Sequence, residues 1–445
     1  METANNGVEI FAFCAKQLSG LKAAIRSAGR DLAKGIDISV LGEKTRSEFD
    51  SDSCFRLLAV APNSGEIPGL LDNASDRLEN LPLENQSLAP GLFFGKNPPD
   101  GKLAFVFPGQ GSQYPFMGFC LENAFEEAAS AINAAEKAFS HKPSLMSYLY
   151  PLGKIPAKPA GDEAGALQKT DVAQPAIGTI SLMMLKILQK HGLLADAACG
   201  HSFGELTALC AAERISEKDF MELAVKRGRL MAAAGKKSED SGGMLAVRAS
   251  AKAIEDLIEK HGADVVLANR NSPNQGVISG PLNEIEKMQK ICRENRIVSA
   301  RLPVSAAFHS RLVMDAAEPF KEVVSKTPFL PGRIPVYSNT TAGPYPENPD
   351  SARGLLGSHL TQPVNFIDEI TNMHKAGVST FLEVGPKAVL TGLIKQILSD
   401  QPHAAFSVDS SAGKQPALFD LAAALCRTAA LGYVVELEKW PGAIL

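Results

Sequence analysis

Hydrophobic and polar residues follow two periodicities along this 445-residue chain. Alternating or continuous apolar runs predict β-strands, and apolar residues three or four apart predict helices. Strands are predicted at 8–13, 55–61 and 103–107, and amphipathic helices at 17–32, 176–189 and 417–431. The run at 103–107 is apolar throughout, as in a strand that is buried on both faces. The pattern therefore predicts an α/β protein.

Residues 244–300 combine the two periodicities in the order strand, helix, strand, strand, helix, strand. This βαββαβ order is that of a ferredoxin-like unit. We expect a ferredoxin-like subdomain over 238–302, inserted in a larger domain over 101–402. Asn271-Ser272-Pro273, in the middle of this unit, predicts a turn, and the alternative is that it lines a pocket.

Turn-forming residues at 89–101 predict a boundary, which separates a leading α/β unit (1–100) from the large domain. A tail over 403–445 contains the helix at 417–431. We find no chemical constellation in the leading unit and expect both end segments to be structural. A further strand is predicted at 334–338, and loops are predicted at 151–163, 234–243 and 344–353.

Composition narrows the class of protein. Hydrophobic residues make up 45% and charged residues 21%, with a net charge of −4, which argues against a nucleic-acid partner. The most apolar region, around 179–199, is interrupted by Lys186, Lys190 and His191, so we expect no membrane span. Seven scattered cysteines without a C-x-x-C pair predict neither disulfides nor a metal site. The first residues do not resemble a signal peptide, and we expect a cytoplasmic protein.

The strongest chemical signal is Ser202, between Gly200 and Gly204 in the pattern G-x-S-x-G. This spacing is typical of a nucleophile elbow, a sharp strand-to-helix turn where neighbouring residues have no room for a Cβ. The motif alone is weak, because it arises by chance in roughly one chain of this length in six or seven. The alternative interpretation is an ordinary glycine-rich turn.

Partners for such a serine occur elsewhere in the chain. Arg227 lies on the apolar face of a helix with Phe220, Leu223, Ala224 and Met231. An arginine there is either in a structural salt bridge or binds a carboxylate ligand through two hydrogen bonds, and the residues leave both open. Gln110 lies in a glycine-rich loop after the strand at 103–107, where its amide would suit an oxyanion or an acyl carbonyl.

His309 is the best candidate for a general base among eight histidines, because it ends an apolar stretch where the chain re-enters the large domain. His201 is the competitor. Since neighbouring residues of an elbow point apart, His201 is expected to pack rather than to act on Ser202.

Several segments together, in this order, resemble the malonyl-CoA:acyl-carrier-protein transacylase family over about 101–400. They are Phe107-Pro108-Gly109-Gln110-Gly111-Ser112-Gln113, Gly200-His201-Ser202-Phe203-Gly204-Glu205, Arg227-Gly228-Arg229-Leu230-Met231, Ala307-Phe308-His309-Ser310 and Glu383-Val384-Gly385-Pro386. The resemblance implies an α/β-hydrolase-like large subdomain. It also implies that 1–100 is a ketosynthase–acyltransferase linker and 403–445 a post-acyltransferase linker of a polyketide or polyunsaturated fatty acid synthase.

The resemblance assigns roles to the candidate residues. Ser202 would be acylated with His309 as base, the backbone N–H groups of Gln110 and Phe203 would hold the oxyanion, and Arg227 would bind the malonyl carboxylate. A backbone carbonyl near Ser358-His359 would orient His309. The resemblance further implies that His201, Phe308 and Met231 bind substrate, with Phe308 typical of members that take malonyl rather than methylmalonyl.

The expected activity is malonyl transfer from malonyl-CoA to the phosphopantetheine thiol of an acyl carrier protein, with no cofactor or metal bound by the chain. A ketosynthase domain of the same synthase is the other expected partner. Alternatives are a serine hydrolase or editing acyl-thioesterase, and a transacylase for another acyl-CoA. A hydrolase would normally require an acid between Ser202 and His309 in sequence, and Asp219 and Asp264 do not suit that role. A non-catalytic scaffold is disfavoured because Ser202, His309 and Arg227 are all present.

Overall fold

The computed structural model describes residues 7–61, 66–80, 86–140, 142–151, 162–237, 242–304 and 306–442. Within them the strands form three four-stranded sheets. The strands are β1 (Glu9–Ala15), β2 (Phe55–Ala61), β3 (Gln86–Ala89), β4 (Leu92–Lys96), β5 (Lys102–Phe107), β6 (Ala197–Gly200), β7 (Gly243–Val247), β8 (Val266–Ser272), β9 (Gln275–Gly280), β10 (Ser299–Arg301), β11 (Val378–Glu383) and β12 (Ala404–Ser407).

Helices cover the sheets. They are α1 (Leu18–Ala33), α2 (Ile38–Ser47), α3 (Ile67–Asn80), α4 (Leu121–Ala124), α5 (Glu126–Phe139), α6 (Leu145–Leu149), α7 (Asp162–Gln168), α8 (Thr170–Lys190), α9 (Gly204–Ala211), α10 (Glu217–Lys237), α11 (Ala251–His261), α12 (Leu282–Glu294), α13 (Met314–Ser325), α14 (Pro349–Ser358), α15 (Phe366–Lys375), α16 (Val389–Ile397) and α17 (Ala417–Ala430).

The central sheet is parallel, with the strand order β12-β11-β5-β6. Its strands are short and almost wholly apolar because helices cover both faces. Phe107 pairs with Gly200 at the end of β5 and β6, and the N–H of His201 donates to the Phe107 carbonyl at 3.0 Å. The two loops that leave these strands therefore lie side by side at the carboxyl edge, where parallel sheets bind ligands.

Helix α8 is the one described helix that is long and apolar enough to cross a membrane. No membrane span was predicted here, because Lys186 and Lys190 interrupt the apolar run, but α8 meets the criteria of length and composition despite them. However, 89% of its most apolar window is buried inside the protein, where α8 packs against α5 and α10. A core helix of this kind satisfies the same criteria, and the finding is weak support for a membrane span.

A second sheet begins after α10 in the chain. Its order is β10-β7-β9-β8 with antiparallel pairing throughout, and α11 and α12 connect its strands. In chain order this is 4-1-3-2. The sheet has its own core, in which Leu245, Ile254, Ile278 and Ile285 are buried.

The leading unit has an antiparallel sheet of order β1-β2-β4-β3, and the C-terminal segment packs onto it. Arg56 of β2 is fully buried and donates to four backbone carbonyls, which belong to Ser51, Ser53, Asn97 and Ala430. Trp440 Nε1 donates to the Val8 carbonyl at 3.0 Å. These contacts join the first hundred residues to the end of the chain.

The structure corrects several predicted elements. The strand at 334–338 reduces to isolated bridges, among them Val336 to Ala198, because Pro335 has no N–H for a ladder. The predicted loop at 344–353 contains the start of α14, which Asn348 caps by accepting the Ser351 N–H at 2.9 Å. Of the predicted turn at 271–273, Asn271 and Ser272 lie within β8, and only Pro273 lies in the turn that follows.

Two other predicted loops are only partly described. The segment 234–243 is helical to 237, since α10 continues beyond Met231, and β7 begins at 243. Residues 238–241 and 152–161 lie outside the described residues, and α7 begins within the last part of the predicted loop at 151–163.

Candidate active site

Ser202 lies on a sharp turn between β6 and α9, with a φ of 50°, in the left-handed region that non-glycine residues rarely adopt. The flanking glycines explain why the turn is possible. A Cβ on Gly200 would overlap the Gly204 carbonyl carbon, and a Cβ on Gly204 would overlap the Phe107 carbonyl oxygen. The backbone of the elbow thus passes in contact with itself and with β5.

His309 reaches the serine from the segment before α13, with its Nε2 2.8 Å from Ser202 Oγ. Its Nδ1 lies 2.9 Å from the Gln362 carbonyl oxygen. A carbonyl oxygen can only accept, so Nδ1 carries the proton and Nε2 accepts from the Ser202 hydroxyl. A carbonyl near Ser358-His359 was predicted to make this contact; the hydrogen bond is made by Gln362, three residues further along the turn that follows α14, and the backbone of His359 also acts on the His309 ring.

Burial and, secondly, the nearby charge of Arg227 lower the pKa of His309 to about 3. The imidazole is therefore neutral at neutral pH, which is the form that can remove a proton from Ser202. No carboxylate of the described residues bonds to its Nδ1. The pair is thus a serine and a histidine that a backbone group orients.

Arg227 lies on α10. Its side chain is only 1% exposed, as its position on the apolar face of that helix predicts. Its Nη2 donates to Ser202 Oγ at 3.3 Å, and its Nε has no hydrogen-bond partner. Among the described residues no carboxylate lies within salt-bridge distance of Arg227. Glu205 interacts with it only by electrostatic attraction at longer range, which favours the charged guanidinium. Burial lowers the pKa of Arg227 to about 9, so the guanidinium remains charged at neutral pH.

The glycine-rich loop after β5 packs directly on the elbow, because a Cβ on Gly109 would overlap the His201 carbonyl oxygen. The backbone N–H groups of Gln110 and Phe203 have no hydrogen-bond partner among the described residues. The side chain of Gln110 instead donates through Nε2 to Thr170 Oγ1 at 3.2 Å. Two free N–H groups on adjoining loops beside a serine hydroxyl form an arrangement that can hold an oxyanion.

A sequence model described as "Acyl transferase domain" matches residues 104–421, more than two thirds of the chain. The chain belongs to the acyl transferase domain family. The Malonyl CoA-acyl carrier protein transacylase of Bacillus subtilis (strain 168) is 36% identical over 299 residues, which are 66% of this chain and 90% of that protein.

Two further proteins are similar to most of the chain. The spectinabilin polyketide synthase system protein NorB of Streptomyces orinoci is 33% identical over 345 residues, 78% of this chain and 15% of that much longer protein. The solved structure of the acyl transferase domain of ZmaA superposes with a TM-score of 0.80 at 20% identity. The superposition covers 97% of this chain and 95% of the ZmaA domain. The latter likeness shows a shared fold that extends through the leading unit.

In this acyl transferase domain a cavity of about 260 Å³ lies between the central sheet and the second sheet. Its lining includes five of the eight site residues predicted from the sequence: Gln110, His201, Ser202, Phe308 and His309. The side chains of the other three, Phe203, Arg227 and Met231, do not line this cavity.

His201 and Met231 make contacts of their own. His201 Nε2 lies 2.8 Å from Asn271 Oδ1, and its ring contacts the edge of Phe366. Met231 is buried one turn beyond Arg227, where its sulfur accepts from Gln174 Nε2 at 3.3 Å. His201 thus joins the elbow to the second sheet through a residue that was predicted to lie in a turn.

Sequence reasoning missed two residues of the site, Gln362 and Asn339, and it favoured a turn for a third, Asn271, which lines the cavity. Asn339 Oδ1 accepts the Ser202 N–H at 2.7 Å. A polar amide after the apolar run that ends at 337 was a usable signal, since it predicts a group at the carboxyl edge of the sheet. Gln362 offered no signal, because its contact is made by a backbone carbonyl.

Proposed function

We propose that this acyl transferase domain moves a malonyl unit from malonyl-CoA to the phosphopantetheine thiol of an acyl carrier protein through a malonyl ester on Ser202. The observation that carries the proposal is Arg227, a buried guanidinium beside Ser202 that no carboxylate of the described chain neutralises. An unpaired buried charge is costly, and a substrate carboxylate would compensate it. The name of the similar Bacillus subtilis transacylase supports the same acyl group.

In the first half-reaction Ser202 Oγ attacks the thioester carbonyl while His309 Nε2 takes its proton. The N–H groups of Gln110 and Phe203 hold the tetrahedral oxyanion. The intermediate collapses with cleavage of the carbon–sulfur bond, and His309 returns the proton to the departing thiolate. In the second half-reaction His309 takes the proton of the carrier thiol, the thiolate attacks the ester, and Ser202 Oγ recovers the proton.

The domain assignment is part of the proposal. We assign 1–100 to a ketosynthase–acyltransferase linker, 101–402 to the acyltransferase with a ferredoxin-like subdomain at 238–302, and 403–445 to a post-acyltransferase linker. The 4-1-3-2 order of the second sheet and the coverage of the ZmaA domain support these limits. We assign the large subdomain to an α/β-hydrolase-like class, and a ketosynthase of a polyketide or polyunsaturated fatty acid synthase as neighbour. Seven free thiols support a reducing, cytoplasmic setting.

The test is incubation with malonyl-CoA followed by intact-protein mass spectrometry and peptide mapping. We expect one malonyl adduct on Ser202, absent from Ser202→Ala, which then moves to an added carrier protein. Rapid labelling by acetyl-CoA with none by malonyl-CoA would contradict the substrate. Release of malonate to water without transfer to any carrier would instead favour the editing thioesterase.

A further inference from the structure

Asn339 occupies a position behind the nucleophile that no step above uses. It is fully buried, and its side-chain amide bonds to two backbone groups of the elbow. Oδ1 accepts the Ser202 N–H at 2.7 Å, and Nδ2 donates to the Gly200 carbonyl at 2.6 Å. Because an N–H can only donate and a carbonyl can only accept, these partners define which end of the amide faces which.

Two buried carboxyl groups hold Asn339 in turn. Its Nδ2 also donates to Glu369 Oε2 at 2.8 Å, and its backbone N–H donates to Glu205 Oε2 at 2.7 Å. Glu205 and Glu369 are both fully buried, and burial raises the pKa of each. Asn339 is therefore the centre of a network that links the elbow, the start of α9 and α15.

We infer that Asn339 is a positioning residue, which holds Ser202 in its left-handed conformation by fixing the nucleophile's own N–H and the Gly200 carbonyl two residues before it. A non-glycine residue in that conformation is strained unless its surroundings hold it there. The Ser202 N–H is occupied by Asn339, so it is not an oxyanion donor, and the free N–H groups of Phe203 and Gln110 remain for that role. The role of this residue rests on Ser202 being the nucleophile.

The test compares Asn339→Ala with Asn372→Ala. Asn372 is the matched control, because its Nδ2 donates to the Ala342 carbonyl at 3.0 Å, in the loop that follows Asn339, and does not touch the elbow. Each variant is melted, and folded protein is labelled with a neutral fluorophosphonate, which reports the reactivity of Ser202 without any acyl-CoA. Single-turnover acylation by malonyl-CoA and by acetyl-CoA follows.

We expect folded Asn339→Ala to label about 100-fold more slowly than wild type, since misplacing a reacting group by about 1 Å costs that much. Its preference for malonyl-CoA over acetyl-CoA should not change, because Arg227 is untouched. Asn372→Ala should label at the wild-type rate. Wild-type labelling by folded Asn339→Ala, or equal slowing in Asn372→Ala, would overturn the inference. If the wild-type protein reacts normally with the fluorophosphonate but is not loaded by malonyl-CoA, only the proposed substrate is contradicted.

If Asn339→Ala does not fold, Asn339→Asp keeps the acceptor for the Ser202 N–H and loses the donor to Gly200. Amide hydrogen exchange of the wild-type protein gives a measurement that needs no variant. We expect the Ser202 amide to be protected and the Phe203 amide to exchange quickly. Equal exchange of the two amides would contradict the inference.

An independent observation concerns a second cavity, of about 160 Å³, between the leading sheet and α17. It shares no lining residue with the cavity at Ser202. Phe93 and Phe94 of β4 line it, together with Lys395, His403 and Arg427. No acidic residue lines it.

Arg427 has no hydrogen bond or ion pair among the described residues, and its guanidinium carbon lies 4.4 Å above the Phe406 ring. Stacking of this kind leaves the edge N–H groups of a guanidinium available for a planar or tetrahedral oxyanion. Lys395, which is exposed, likewise has no hydrogen bond or ion pair in the described chain. We propose that this cavity binds an oxyanion, either a phosphate or a carboxylate, outside the acyl transfer site.

The probes are inorganic phosphate and acetate, titrated by calorimetry against wild type, Arg427→Met and Arg293→Met. Arg293 is an exposed arginine on α12 and serves as control. We expect Arg427→Met to weaken binding about tenfold, the effect of losing a bidentate charge-assisted contact, and Arg293→Met to leave it unchanged. The tighter probe identifies the anion class. Binding that is absent, or equal in all three proteins, would overturn the site. Acyl loading of Ser202 should remain normal in both variants.

Discussion

Substitution of Arg227 by methionine tests the central feature of the site. Methionine retains a long unbranched side chain but has neither the charge nor the N–H donors, so the change removes the ligand contact while limiting the cavity that remains. Arg227 is 1% exposed, so solvent screens little of its interaction with a bound carboxylate. The variant should therefore discriminate against a charged acyl group in particular.

Removing one partner of a buried, hydrogen-bonded charge pair costs about 2–5 kcal/mol. At about 1.4 kcal/mol for each factor of ten, kcat/KM for malonyl-CoA should fall between about 30-fold and several thousand-fold. Acetyl-CoA has no carboxylate to lose, so its rate should change by only about threefold, the effect of a weak 3.3 Å contact with Ser202 Oγ. The empty enzyme should not be destabilised, because an unpaired buried charge is removed.

The assay is rapid-quench acylation with each acyl-CoA, read by intact-protein mass spectrometry, together with thermal unfolding. Arg229→Met is the matched control, since Arg229 lies on the same helix and donates to the Phe139 carbonyl at 2.8 Å without touching Ser202. Its malonyl-to-acetyl ratio should equal that of wild type. Equal losses for both acyl groups in Arg227→Met would refute the reasoning and make Arg227 a structural residue.

Three further predictions concern the base, the elbow and the leading unit. Because the pKa of His309 is lowered to about 3 and its neutral form is the active one, kcat/KM should stay level as the pH falls from about 8 to about 5; a loss centred on the ordinary histidine value near 6.5 would contradict this. Gly200→Ala should abolish fluorophosphonate labelling, since the added Cβ has no space beside Gly204. Gly354→Ala on α14 is the control: a Cβ there meets nothing within 4 Å, and the change should stabilise the protein by about 0.5–1 kcal/mol in thermal unfolding. Labelling of Gly200→Ala at the wild-type rate would refute the elbow argument. Arg56→Met should lower the free energy of unfolding by about 3 kcal/mol in a denaturant titration, because it leaves four carbonyls without their donor; a change below about 1 kcal/mol would show that water replaces the guanidinium.

Features that depend on near neighbours in sequence were predictable. The βαββαβ order over 244–300 follows from the periodicity, and the observed segment has the expected four strands and two helices in that order. The segment at 334–338 shows the limit of such reasoning. Its composition favours a strand, but Pro335 cannot donate to a ladder and only isolated bridges form.

Candidate residues were found singly, and their relation to one another was not. Ser202 lies in a motif, and Arg227 is conspicuous as a charge on an apolar helix face. The sequence left open whether Arg227 forms a salt bridge inside the protein or has no acidic partner, because any of the chain's 49 acidic residues could pack against it. The structure decides this, since in the described residues no carboxylate reaches it.

The amino-acid sequence by itself determined the elbow. Two glycines around Ser202 are a local steric requirement, and short-range sterics can be read from neighbouring residues. The tertiary structure alone decided what surrounds that serine: the Gln362 carbonyl on His309, the Asn339 amide on the Ser202 N–H, and the free N–H groups at Gln110 and Phe203. Almost every residue carries a backbone carbonyl and an N–H, so residue type does not reveal which of them will meet. Only the packing of distant segments selects those partners.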